Sequence, residues 1–201
     1  MTALVSRPRS APTVLVGALT GLAAVGTAII VAGTDAAGAQ LAARWTARLA
    51  FIWFMLAWSA SVVQARWPGG WRMDWLRRRR GLGLAFAAVH GIHLAALAVA
   101  MQLSGRALDI PHLLGGGVAY LFVLAMAATS NDRAVRVLGS TNWRRLHTAG
   151  GWFLATIFAL TYMGKLGARP LFSALALTWL GGVVALKLAK VIRHTAKPAA
   201  A

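Results

Sequence analysis

The sequence predicts an all-α membrane protein, a six-transmembrane-helix bundle with both termini in the cytoplasm, and three observations carry that prediction. Of its 201 residues 59% are apolar and the mean hydropathy is +0.66, more than a water-soluble domain of this size carries. Six uncharged runs, each close to the length that crosses the hydrocarbon core of a bilayer, follow one another along the chain. The basic residues, which give a formal net charge of +17, lie almost wholly in the links between those runs. That placement makes them topology signals first, so the charge does not argue for nucleic acid.

After Arg7 and Arg9, residues 14–33 form the first run, leaving 1–13 as a cytoplasmic segment. A basic start followed by an apolar run imitates a secretory signal, but this run exceeds a typical signal core and lacks a convincing cleavage site, so it is read as helix one. Gly17 and Gly21 within it have the spacing of close-packed membrane helices. Helix two is expected over 49–65, between Arg48 and Arg66, with Trp53 and Trp58 inside it. The next link carries Trp67, Pro68, Gly69, Gly70, Trp71, Trp75 and Arg77 to Arg80. Trp71 and Trp75, four residues apart, are expected on one face of a short interfacial helix. The arginines orient the chain, with a grip on anionic lipid or on a phosphate-bearing cofactor of a partner as the sharper alternative.

Helices three to six are expected at 81–105, 110–131, 146–164 and 170–186, with 187–201 as a basic cytoplasmic tail. With the amino terminus inside, sixteen Lys and Arg residues fall on the cytoplasmic side; five, Arg44, Arg48, Arg106, Lys165 and Arg169, fall outside. A bias of that size sets the orientation.

Several function classes drop out. The chain has no cysteine, which removes thiolate ligands, disulfides and iron-sulfur clusters. Its four acids, Asp35, Asp74, Asp109 and Asp132, sit in links or at the edges of runs, so carboxylate-pair catalysis and an acidic proton relay within the membrane are not expected. A transporter reading has little behind it for the same reason.

Histidine in a lipid-facing sequence is costly to desolvate and marks a candidate site, the simpler alternative being a ring bonded to a backbone carbonyl. His90 and His93 lie about 15 and 20 Å along the helix from Arg80, near mid-membrane, and three residues apart they face the same way. His147 opens helix five near the cytoplasmic face. His112, at the outer start of helix four, and His194, in the tail, are read as structural. Neutral imidazole binds heme iron, and two parallel helices with histidines at matching depth hold a heme between them.

The ordered motifs Arg79-Arg80-Gly81-Leu82-Gly83-Leu84, His93-Leu94, Ala128-Thr129-Ser130-Asn131-Asp132, Leu138-Gly139, Trp143 and Leu146-His147 carry a family likeness. Together they resemble the ferric-reductase-like transmembrane domain, nearest to its MsrQ (YedZ) type, heme-binding membrane subunits that feed electrons to a periplasmic methionine sulfoxide reductase. The resemblance implies heme b held by histidines of helices three and five, with His93 matching the ligand of helix three and His147 the first histidine of helix five; the spacing of His90 and His93 by itself lets one ligate while the other supports. The resemblance also implies a further histidine about four turns beyond His147, the depth partner of His93, where this chain has Leu160 or Thr161. His147 is about 20 Å of helix axis away from that level and does not replace it. A five-coordinate heme on His93 or His90, an unusual ligand from Met163 or Tyr162, or a ligand from a partner protein would complete the site.

The expected function is a membrane electron-transfer subunit in a bacterial inner (plasma) membrane. It would pass electrons through b-type heme to a partner oxidoreductase on the extracytoplasmic side. No dinucleotide fingerprint and no flavin or nicotinamide domain is expected, so quinol or a separate reductase is the donor. The alternative is a noncatalytic, heme-free scaffold of the same fold that binds a partner.

Overall fold

A computed structural model describes residues 10–105 and 110–195, with the side chains of 110–113 and 193–195 outside that description. The roles expected for Arg106, Asp109, His112 and His194 fall outside the described residues. Six helices follow in order: α1 Ala11–Ala32, α2 Ala36–Arg66, α3 Trp71–Ser104, α4 Ile110–Ala128, α5 Asp132–Met163 and α6 Pro170–Thr195.

The helices stop where caps and breakers stop them, not where hydropathy changes. Gly33 closes α1 at φ 84°, its N–H bonding the Ile29 carbonyl at 2.8 Å. Asp35 then opens α2, its carboxylate accepting from the N–H groups of Ala37 at 2.9 Å and Gly38 at 3.2 Å. The Pro68-Gly69-Gly70 turn separates α2 from α3, Gly105 caps α3, and Asn131 accepts from the N–H of Ala134 at 2.7 Å to start α5. Consequently α2 begins at Ala36 rather than 49, α3 at Trp71 rather than 81, and α5 at Asp132 rather than 146. The short interfacial helix expected around Trp71 and Trp75 is the first turn of α3 itself. The two indoles stack there with centroids 5.9 Å apart, and Trp75 donates to the Leu56 carbonyl at 2.9 Å.

Among the described residues four helices, α1, α2, α3 and α6, are each long and apolar enough to cross a membrane. The α4–α5 pair adds a fifth span if counted as one, although its legs are bent by 117°. Among the described residues the count is thus four to five and not the six of the uncharged runs, α4 being counted from Leu114 alone and α5 only together with it. Gly139, with φ 75° and ψ 151°, breaks α5 into two differently directed pieces.

Helices α1, α2 and α3 pack densely on one another, whereas α4 leans on α5 and α5 on α6. The glycines of α1 make the first contact possible. A Cβ on Gly17 would lie 2.6 Å from the Ala85 Cβ and 3.0 Å from its Cα, so the backbones of α1 and α3 meet there without room for a side chain. Rings fill the centre: α2 presents Phe51, Phe54 and Trp58, and α5 answers with Phe158, Tyr162 and Trp152 at centroid distances of 4.9–5.3 Å for Phe51–Tyr162, Phe51–Phe158, Phe54–Phe158 and Trp58–Trp152.

Gly17→Ala is expected to lower stability in detergent by about 1–3 kcal/mol through overpacking against Ala85. Gly26→Ala, whose Cβ would meet nothing within 4 Å, is expected to hold or raise it. Thermal unfolding of the two variants side by side reads the difference.

Candidate functional site

Helices α3 and α5 are not among the closely packed pairs, and the ring-bearing face of α2 stands between them. On the side where α2 ends and α3 begins, this leaves a cavity of about 930 Å³, within the size range of cofactor sites. Phe54, Trp58 and Phe86 give it aromatic walls, Gly83 and Ala87 leave the α3 side low, and Val123, Met126 and Ala127 of α4 close the floor. Arg79, Arg80, Arg136 and Arg144 gather around it with Ser130 and Asn131. Two of these arginines are fixed: Arg79 donates to the Ala57 carbonyl at 3.2 Å, and Arg80 pairs with Asp132 at 3.5 Å.

His147 lies on the wall of this cavity. Trp143, one turn earlier, stacks on its ring at 4.2 Å and donates to the Thr129 carbonyl at 2.9 Å, tying the start of α5 to the end of α4. The His147 Nε2 is 3.2 Å from the Thr129 hydroxyl, which already donates to the Ala125 carbonyl at 2.7 Å. The hydroxyl is left to accept, so Nε2 carries the proton and Nδ1 the lone pair.

His90 and His93 do not line the cavity. Their rings adjoin each other at 5.6 Å, one layer behind Phe86, which is 5.1 Å from His90. His93 is partly buried, and its Nδ1 lies 3.2 Å from the Thr46 hydroxyl, which donates to the Ala42 carbonyl at 2.7 Å. By the same argument Nδ1 carries the proton and Nε2 keeps its lone pair, the arrangement in which an outer hydrogen bond orients a metal-ligating imidazole. His90 is buried against Tyr120 at 4.6 Å, and its Nδ1 has no hydrogen-bond partner.

The structure brings His90 and His93 together and leaves His147 apart from them. At the level expected to face His93, Leu160 is 60% exposed and Thr161 is exposed too, so neither turns into the bundle. Of the two alternative ligands, Met163 points outward at 58% exposure, while Tyr162 is buried among Phe51, Phe158 and Phe172. Among the described residues no three His, Asp or Glu side chains converge on a common metal position. The residues therefore do not fit a heme clasped between two imidazoles of α3 and α5. They do fit a single planar anionic group in the cavity, with one imidazole on its wall and guanidinium groups around it.

Sequence reasoning misses the cavity arginines Arg136 and Arg144, which read only as topology charges, and the partners Thr46 and Tyr120, which carry no signal short of knowing which helices touch; Thr129 stands in a quoted motif without its bond to His147 being legible.

No protein-family model matches the chain, and no solved structure matches it. Among curated proteins it is similar to a protein-methionine-sulfoxide reductase heme-binding subunit MsrQ from Azospira oryzae. The identity is 34% over 112 residues, covering 52% of this chain and 45% of that relative. The chain thus spans about half the length of the MsrQ subunit it matches.

The Gly139 backbone lies where only glycine is comfortable, so Gly139→Ala is expected to cost about 1–3 kcal/mol. Because the break directs Trp143 toward Thr129, the tryptophan emission of the variant should shift to the red, a change that fluorescence checks directly.

Proposed function

We propose that the chain is a membrane electron-transfer subunit that holds a b-type heme in the cavity between α3 and α5 and passes electrons to a partner oxidoreductase. The observation that carries this reading is the cavity itself. Its volume of about 930 Å³, its aromatic walls, its single imidazole and its four arginines suit a flat macrocycle with carboxylate arms. The name of the MsrQ relative supports the same chemistry.

In this reading His147 is the iron ligand, and Arg79, Arg80, Arg136 and Arg144 receive the propionates through charge-assisted bonds. Trp58, Phe86 and Phe54 exclude water and lower the local dielectric. When bound, heme supplies one-electron storage; the chain supplies the position and the field that tune it. Each of α4 and α5 crosses the membrane, giving six spans with both termini on the cytoplasmic side of a bacterial plasma membrane. The donor, quinol or a separate reductase, works from the arginine side, and an extracytoplasmic redox protein accepts.

A second reading places the iron on His93, with His90 beside it. It is favoured by the Thr46 bond, which leaves the His93 Nε2 lone pair free, and by the unpartnered Nδ1 of His90. A third, the heme-free scaffold, draws on the outward turn of Leu160 and Thr161.

Absorption spectra of the purified protein after heme supplementation separate the three. The expected outcome is a Soret band that His147→Ala abolishes and His93→Ala retains, with Arg79→Gln combined with Arg144→Gln weakening heme affinity by about tenfold or more. Loss of the band in His93→Ala alone moves the heme to the α3 pair. No band in the unaltered protein leaves the scaffold.

A further inference from the structure

Four of the five cations expected outside gather at the end of the bundle remote from the cavity. Arg44 and Arg48 lie one turn apart on α2, and Lys165 and Arg169 lie one turn apart where α5 passes into α6, the Arg169 N–H bonding the Lys165 carbonyl at 2.9 Å. Helices α2 and α6 pack on each other, which sets the two pairs face to face. The charges of Arg44, Arg48 and Arg169 all reach Lys165; burial first, and those three neighbours next, hold its ammonium below the usual lysine range. Among the described residues the ion pairs are Arg77 with Asp74 and Arg80 with Asp132, so no carboxylate answers this group.

Four like charges brought together, with no carboxylate paired to them among the described residues, repel one another, and an anion that joins them relieves the repulsion. Depth decides which anion. The Arg48 guanidinium lies over the Phe172 ring at 4.5 Å, and Phe172 packs on the buried ring of Tyr162 at 5.6 Å. The charge thus sits level with the first turn of a membrane-spanning helix, where lipid phosphates lie and where carboxylates on the surface of a soluble protein do not reach.

We propose that Arg44, Arg48, Lys165 and Arg169 form a binding site for the phosphate headgroup of an anionic phospholipid in the leaflet at that end. The site is independent of whether the cavity holds heme.

The test uses the full chain in nanodiscs of phosphatidylcholine alone or with phosphatidylglycerol. Phosphatidylglycerol is expected to raise Tm by about 3 °C or more. Arg44→Gln combined with Arg48→Gln should remove that increment, and Arg66→Gln combined with Arg72→Gln, at the opposite end of the bundle where α2 turns into α3, should keep it. Should the first variant fail to fold, Lys165→Gln combined with Arg169→Gln, in the exposed link, should remove the increment in its place. Equal increments in all variants would overturn the proposal. So would a full increment in phosphatidylcholine discs from inorganic phosphate, which would make the ligand a free anion, or from polyglutamate, which would make it an acidic protein surface.

Discussion

The row of large rings along one face of α2 is the wedge on which the architecture rests. Phe51, Phe54 and Trp58 fill the middle of the bundle, and their bulk sets α3 and α5 apart. Trp58 is held hard: its indole nitrogen lies where a Cβ on Gly151 would come within 2.9 Å, and Lys187 sits over its ring at 4.4 Å. The cavity is therefore a consequence of packing as much as of the polar groups around it.

How far the fold could be read from the residues follows from what each signal measures. Hydropathy marks six helices in the order the structure has them, and the Gly17 and Gly21 spacing marks a close-packed face without naming its partner, which the structure shows to be α3 at Ala85 and Ile92. It misjudges their ends, because Gln40, Arg44 and Arg48 are polar without being helix breakers, and among the described residues the helices are separated at Gly33, the Pro68–Gly70 turn, Gly105, Asn131 and the 164–169 link. The break inside α5 was also hidden. Gly139 belongs to the Leu138-Gly139 motif, but its positive backbone φ has no compositional mark.

The site was legible in part. His90 and His93 share a face and adjoin, as three-residue spacing requires, and Trp143 with His147 does the same one turn apart. Depth counting also separated His147 from the α3 pair. What the chain did not disclose is which rings face open space, since that depends on neighbours distant in sequence: Phe86 screens His90 from the cavity, and Thr46 holds His93 from across the α2–α3 seam. Leu160 and Thr161, where the resemblance implies a histidine, both face away from the interior, which the sequence alone does not disclose.

The uneven packing of the two halves has a bearing on biogenesis. Helices α1 to α3 find most of their contacts among themselves, while α4 to α6 add to them more loosely. Since synthesis proceeds from the amino terminus, the first three helices can assemble in the bilayer while the ribosome is still translating the remainder. Of the helices that line the cavity, α5, which bears His147, is therefore the last to be synthesised.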